Sequence, residues 1–187
     1  MTMKVLGVSG SLRRDSHNRR LLLEAAEHVP AGVELALFDG LKAVPPYDED
    51  DDVVPAHPAV AALREAIADA DAVLFATPEY NSSVPGQLKN AVDWASRPRG
   101  SAALAGKPVA VIGTTTGSFG GVWAQADLKR ILGTAGARVV AGEVAVPRAH
   151  ERLAEHGRLV LDEHHDPLGA LVEALLAEVR PSALAAA

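Results

Sequence analysis

The sequence of 187 residues contains no cysteine, and only 4% of its residues are aromatic. The absence of cysteine excludes disulfides, thiol nucleophiles, and zinc or iron–sulfur sites with thiolate ligands. No apolar run approaches the length of a membrane span, and the first strand pattern begins at Lys4 without a preceding hydrophobic signal region. We therefore expect a cytoplasmic protein that has no membrane partner.

The charge of the chain gives no indication of a nucleic-acid partner. Its formal net charge is −6, its pI is near 5.6, and its arginines are scattered rather than arranged in a stripe. The basic surface that nucleic-acid binding requires is therefore not expected. Because 48% of the residues are apolar, a chain of this length can bury a sizeable core, and we expect one domain over residues 1–187.

Apolar runs typical of buried strands alternate with apolar residues at helical spacing along the chain. Strand patterns occupy residues 4–8, 33–37, 72–76, 108–113 and 138–146, and helical patterns occupy residues 17–28, 58–69, 85–96, 122–135 and 168–179. We expect a flavodoxin-like three-layer α/β sandwich, with a five-stranded parallel sheet in the order 2-1-3-4-5 and helices on both faces. Residues 39–58 contain four prolines and the acidic run 48–52, so no regular element is expected there.

Polar loops follow three strands of this predicted sheet. They are the first loop (residues 9–18), the second loop (77–84) and the third loop (114–121). In a sheet of this order, ligands bind beyond the carboxyl ends of the strands, at the point where the strand order reverses. We therefore expect the three loops to converge on one ligand.

The first loop has the composition of a phosphate-binding turn. Its hydrogen-bond donors are the side chains of Ser9, Ser11, Arg13, Ser16 and Asn18. A helix that begins near Ser16 would direct its unpaired amides into this loop. The Walker motif is absent, and Gly7 and Gly10 do not match the dinucleotide fingerprint, so a terminal phosphate monoester is favoured. Alternatively, Asp15 or Ser16 only caps the helix, and the serines form a polar turn.

The second loop and the helix after it carry the most specific motif. The run from Pro78 to Trp94 has the pattern P-E-Y-N-x-S-x-P-G-x-L-K-N-A-x-D-W. Together with Gly10-Ser11-Leu12-Arg13 in the first loop and Gly113-Thr114-Thr115-Thr116-Gly117 at the third, it resembles the NADPH-dependent FMN reductase family. That family includes bacterial quinone and chromate reductases, and the resemblance covers nearly the whole chain.

The resemblance implies which residues contact the cofactor. The FMN phosphate is expected on the first loop, at Ser11, Arg13, Ser16, His17 and Asn18. The turn of the second loop is expected to run along the isoalloxazine ring, with main-chain N–H groups facing its pyrimidine edge, at Pro78, Glu79, Tyr80 and Asn81. Thr115 and Gly117 of the third loop are expected close to the flavin.

These features predict a flavoprotein oxidoreductase, an NAD(P)H-dependent FMN reductase or quinone reductase that works by a ping-pong mechanism. NADPH or NADH reduces the bound FMN and leaves, and then a quinone, free flavin, azo compound or metal oxyanion takes the electrons at the same open face. No catalytic acid or base of the protein is expected, because the hydride chemistry belongs to the cofactor. The alternatives are a flavodoxin-type electron carrier without NAD(P)H turnover and a flavin-binding sensor.

Several other polar or aromatic residues are expected to have structural roles. Lys89, Asn90 and Asp93 lie on the helix after the second loop, where a role in the fold or in an oligomer interface is favoured. Trp94 and Trp123 are expected to be core or interface anchors. Neither the acidic run nor His164-His165-Asp166 is expected to bind a metal. The resemblance also implies a homodimer or homotetramer, with the helix after the second loop at the interface.

Overall fold

A computed structural model describes residues 2–153 and 165–179 and shows a parallel sheet between two layers of helices. The strands are β1 (Met3–Ser9), β2 (Val33–Leu37), β3 (Ala72–Thr77), β4 (Pro108–Thr114), β5 (Arg138–Val139) and β6 (Val144–Val146). The helices are α1 (His17–Ala26), α2 (Pro58–Asp69), α3 (Gly86–Ala95), α4 (Val122–Thr134), α5 (Ala149–Arg152) and α6 (His165–Ala177).

The strand order of the sheet is β2-β1-β3-β4-β5, and β6 also pairs with β4. All of these pairings are parallel, and their register aligns Ser9 with Ala76 and Thr77 with Gly113. The predicted flavodoxin-like order is therefore confirmed. Because the ends of β1, β3 and β4 are level, the three polar loops leave the sheet at one edge.

Two apolar layers hold the helices against the sheet. Val73 and Phe75 face the layer formed with α2, α3 and α4, whereas Leu74 and Ala76 face the layer formed with α1 and α6. Every residue of β3 and β4 is buried. The continuous apolar runs in the sequence thus correspond to strands that are covered on both faces.

The predicted fifth strand, residues 138–146, is wrong as a single element. The structure divides it into β5 and β6, both paired with β4. Gly142 lies between them with φ of +136°, and a Cβ at this position would be 2.7 Å from Leu171 Cδ1 of α6. The chain therefore leaves the extended conformation where α6 packs against it, a constraint that strand periodicity does not contain.

The prediction that residues 39–58 hold no regular element is also wrong. Single turns of 3₁₀ helix occur at Leu41–Ala43 and Glu49–Asp51, the second capped by Asp48. Side chains on one face of α3 fasten this segment: Gln87 Nε2 donates to the carbonyls of Leu41 and Val44, while Asn90 and Trp94 bind the carbonyl of Pro45. These bonds confirm the structural roles that were predicted for Asn90 and Trp94.

Two further differences concern helices. Pro85 is the residue before α3 rather than its first residue, and the short helix α5 was not predicted. The segment His164-His165-Asp166 lies outside the residues whose side chains are described. None of the described helices has the length and apolar content needed to cross a bilayer.

Candidate active site

The first and second loops touch at Gly10. A Cβ on this residue would lie 2.6 Å from Leu88 Cδ2 and 3.3 Å from Pro78 Cδ. The Gly10 amide donates to the carbonyl of Ala76 at 2.8 Å, which holds the first loop against the end of β3. A side chain here would have to displace the Leu88 side chain of α3 and press against Pro78, so glycine allows the first loop to lie close to the second.

The first and third loops are joined by Asn18. Its Nδ2 donates to the Thr114 carbonyl at 3.0 Å, and its Oδ1 accepts from the Thr114 amide at 3.1 Å. Asn18 is buried, and this pairing leaves one Nδ2 hydrogen for any other acceptor. Its predicted contact with a phosphate therefore stays a prediction, whereas its role in joining two loops is visible in the structure.

The second loop is joined through Glu79 to the start of α4, the helix that follows the third loop. Its Oε2 accepts hydrogen bonds from the amides of Trp123 and Ala124, both at 3.1 Å, at the start of α4. Ser83 Oγ adds a second connection by donating to Asp127 Oδ2 of α4 at 2.8 Å. With the contacts of Gly10 and Asn18, these bonds bring the three loops together at one edge of the sheet, and their convergence on one ligand stays a prediction.

Ser16 has the capping role that the sequence left open. Its Oγ accepts from the Arg19 amide at 3.1 Å as the N-cap of α1, and it lies 3.4 Å from Ser9 Oγ. Ser16 is buried, whereas Arg13 is exposed and forms no ion pair with any residue of 2–153 or 165–179. The guanidinium of Arg13 is thus available to an anion in front of α1.

Positive charge accumulates around His17. Burial lowers the pKa of His17, and the nearby charges of Arg13, Arg20 and His150 lower it further. Its Nδ1 is buried and has no hydrogen-bond partner within the described part of the chain. His150 lies on α5, just after β6, and sequence reasoning missed it because only three strand-end loops were considered. A bound anion would relieve the repulsion among these groups.

The second loop turns tightly between Tyr80 and Ser83. The amides and carbonyls of these two residues exchange hydrogen bonds of 3.1 Å, and Asn81 and Ser82 adopt φ of 52° and 61°. The Tyr80 amide is therefore used inside the turn, and Pro78 has no N–H. Of the four predicted residues, Glu79 and Asn81 keep amides that form no hydrogen bond within residues 2–153 and 165–179.

The third loop is fastened to the strand beside it by its backbone. The Thr115 amide donates to the Val146 carbonyl, and the carbonyls of Thr115 and Gly117 accept from the amides of Ala149 and Arg148. Because the carbonyls face β6 and α5, the amides of residues 116–119 are not engaged by the described backbone. They remain available to a ligand.

Three exposed aromatic side chains lie on the segments that leave this edge. Tyr80, Phe119 and Trp123 are 50%, 63% and 48% exposed, and the rings of Phe119 and Trp123 meet edge to face with centroids 5.0 Å apart. We call these three residues the aromatic rim. Trp123 is exposed and is therefore not a core residue, so the interface role is the part of its prediction that stays open.

The residues at this edge fit a flavin mononucleotide. The first loop presents the Arg13 guanidinium and the His17 Nδ1, both without a partner among the described residues, and the amino end of α1, which together suit a phosphate monoester. The second and third loops present amides that suit the carbonyl and nitrogen atoms of a heterocycle. These observations are independent of any sequence motif.

Comparisons with known proteins agree with this fit. The profile of the family described as NADPH-dependent FMN reductase matches residues 3–151. The chain is 42% identical to an NAD(P)H-dependent FMN reductase of Pseudomonas aeruginosa over 95% of this chain and 96% of that protein. It is 46% identical to a 2-hydroxy-1,4-benzoquinone reductase of Burkholderia sp. over 70% of each chain.

A solved structure extends the similarity to three dimensions. The flavoenzyme FerB of Paracoccus denitrificans, an NAD(P)H:(acceptor) oxidoreductase, superposes with a TM-score of 0.84 at 36% identity, covering 95% of this chain and 97% of that one. An NADH:FMN oxidoreductase, EMOB, superposes with a TM-score of 0.73 at 25% identity, covering 97% and 92%. The chain therefore belongs to the NADPH-dependent FMN reductase family, and it is an oxidoreductase that uses FMN and NAD(P)H.

Proposed function

We propose that this protein passes electrons from NAD(P)H through bound FMN to quinones by a ping-pong mechanism. The observation that supports the cofactor site most directly is the meeting of three loops at one edge of the sheet, with cations at one end and unused amides at the other. FMN, when bound, accepts a hydride and passes electrons on. The protein binds, orients and partly covers it.

The first loop would hold the phosphate of FMN. We assign this contact to Ser11, Arg13, His17 and the amino end of α1, supported by Arg20 and His150. Ser16 and Asn18 act on the same site indirectly, because the first caps α1 and the second joins the loop to β4. A guanidinium forms charge-assisted hydrogen bonds with phosphate oxygens, which makes Arg13 the principal ligand.

The second and third loops would hold the ring. We assign the amides of Glu79 and Asn81 to its pyrimidine edge, with Thr115 and Gly117 passing close beside it. Donors at this edge stabilise the negative charge that reduction adds to a flavin, so they make the cofactor easier to reduce. No side chain of the protein is required as an acid or base.

The aromatic rim supports a planar oxidising substrate. Its three rings are exposed to solvent on the second loop, the third loop and the first turn of α4, the segments that leave this edge of the sheet. Aromatic side chains favour stacked or edge-to-face contacts with other flat rings, and a Burkholderia relative is named for a benzoquinone. We therefore propose quinones as the preferred acceptors, with free flavin, azo compounds and metal oxyanions as further acceptors.

The decisive experiment combines spectroscopy with kinetics. Protein mixed with FMN and freed of excess ligand should show the visible absorption band of a flavin, and it should oxidise NADPH or NADH in the presence of a benzoquinone. Double-reciprocal plots at several quinone concentrations should be parallel, as expected if the donor leaves before the acceptor enters. Retention of FMN without oxidation of either nucleotide would favour the flavodoxin-type carrier, and protein that retains no FMN would refute both.

A further inference from the structure

Helix α4 has no capping side chain at its own N-cap position. That position is Gly121, with φ of 83°, and it follows Gly120. In α1 the N-cap Ser16 supplies this group, and in α2 His57 supplies it. The first-turn amides of α4 instead donate to Glu79, which belongs to a different loop and is 44 residues away from Trp123 in sequence.

The glycines before α4 make this arrangement possible. A Cβ on Gly120 would lie 2.5 Å from the carbonyl carbon of Ala145, and one on Gly121 would lie 3.8 Å from Glu79 Cβ. Both glycines also have positive φ. The backbone thus passes close to β6 and to Glu79 at once, and the carboxylate reaches the helix end directly.

The position of the carboxylate has an electrostatic consequence. The amino end of a helix carries about half a positive charge, which stabilises nearby anions. Glu79 places a full negative charge on that end, at the junction of the second and third loops where the flavin ring is proposed to lie. The other connection between this loop and α4, from Ser83 to Asp127, uses a neutral hydroxyl donor on the loop side.

We propose that Glu79 is a positioning residue that lowers the reduction potential of the bound FMN. This inference rests on the proposed function. The side chain holds the second loop against α4. Its negative charge offsets the positive charge of the helix end, so the helix end stabilises less of the negative charge that the ring gains on reduction. A cofactor held at lower potential is a stronger reductant toward acceptors.

The variant Glu79→Gln separates charge from geometry, because its side-chain oxygen can still accept from both amides. The midpoint potential of bound FMN, measured by equilibration with a redox dye, should become more positive in this variant. If Glu79→Gln raises the affinity for reduced FMN tenfold relative to the affinity for oxidised FMN, the midpoint potential shifts by about 30 mV for this two-electron couple. An unchanged or more negative potential would overturn the inference.

Two further variants serve as controls. Ser83→Ala removes the other connection to α4 without changing charge, so it should lower thermal stability while leaving the potential at the wild-type value. Glu79→Asp keeps the charge on a shorter side chain, and its potential should stay closer to wild type than that of Glu79→Gln. Equal positive shifts in Ser83→Ala and Glu79→Gln would show that loosening of the loop, not charge, sets the potential.

The same measurements distinguish this inference from the function on which it rests. If the wild-type protein retains no FMN or oxidises no NAD(P)H, the proposed function fails before any variant is made. If the wild-type protein does both and Glu79→Gln keeps its potential, only the inference about Glu79 fails.

Discussion

Arg13 and Arg14 are adjacent, exposed and equal in charge, but only Arg13 is assigned to the phosphate of FMN. Arg13→Ala should weaken FMN binding to the apoprotein by about tenfold to a hundredfold, because hydrogen bonds to charged groups contribute about 1.5–3 kcal/mol. Quenching of FMN fluorescence on titration with apoprotein measures the dissociation constant. Arg14→Ala is the matched control, and an equal loss in both variants would mean that general charge, not a specific contact, holds the phosphate.

His17 should make the stability of the apoprotein depend on pH. The pKa of His17 is lowered in the folded chain by burial and by its cationic neighbours, so the unfolded chain binds more protons as pH falls through about 6.5. The contribution of His17 to the free energy of unfolding should therefore decrease from neutral pH toward its folded-state pKa and be constant below it.

Urea unfolding of wild type and of His17→Gln at several pH values tests this prediction. The variant should lose less stability than wild type over the same interval, because glutamine does not titrate. Parallel pH profiles for the two proteins would contradict the prediction.

Some residue roles could be predicted from the sequence, and others could not. The position of Ser16 before a helical pattern was enough to suggest a cap, and the structure shows that cap. The pairing of Asn18 with Thr114 spans 96 residues, and Glu79 caps a helix 44 residues further along the chain, so no local sequence pattern indicates either contact. The hydrogen bond of the Tyr80 amide could not be predicted either, because it forms inside a turn whose geometry depends on positive φ at Asn81 and Ser82.

At the scale of elements, Gly120, which stands two residues before α4, allows a test of how the third loop packs against β6. Gly120→Ala should destabilise the protein by about 2–4 kcal/mol, since the new Cβ would meet the backbone of β6 at a positive φ. Gly86→Ala is the control, because a Cβ at the start of α3 meets nothing within 4 Å, and a small gain in stability is expected there. Urea denaturation provides both values, and a neutral Gly120→Ala would show that the third loop can move away from β6.

The aromatic rim makes a second prediction at this scale. Phe119→Ala should raise KM for a benzoquinone about threefold to tenfold, because a contact between aromatic rings contributes about 0.5–1.5 kcal/mol. KM for ferricyanide, which has no ring to stack, should change little. Leu23→Ala removes an exposed apolar side chain of α1 and is the control. If Phe119→Ala raised KM equally for both acceptors, the aromatic rim would not be part of the quinone site.

The elements that the sequence predicted well are those with many buried apolar residues. Strands β3 and β4 and helices α1, α2 and α4 lie within a few residues of their predicted bounds. The 3₁₀ turns and α5 were missed because three or four residues are too short to show a period. The break between β5 and β6 was missed because the contact of Gly142 with Leu171 depends on the packing of a distant helix.

At the scale of the whole molecule, the topology followed from chain order and from the handedness of crossover connections, and it was predictable for that reason. The predictions of one domain, of a cytoplasmic location and of a homodimer or homotetramer stay predictions. A cavity of about 550 Å³ opens between the carboxyl-terminal halves of α3 and α4, beside the ion pair of Lys89 and Asp93. It leaves part of the predicted interface helix uncovered in the single chain.

The contacts that join the three loops are made by protein atoms alone. Asn18 fixes the first loop to β4, Glu79 fixes the second to α4, and Gly10 brings the first and second together. We therefore expect the proposed FMN site to be preorganised, so that association has little loop-ordering entropy to overcome. We accordingly expect the apoprotein to be fully folded at this edge and to take up FMN without refolding of the loops.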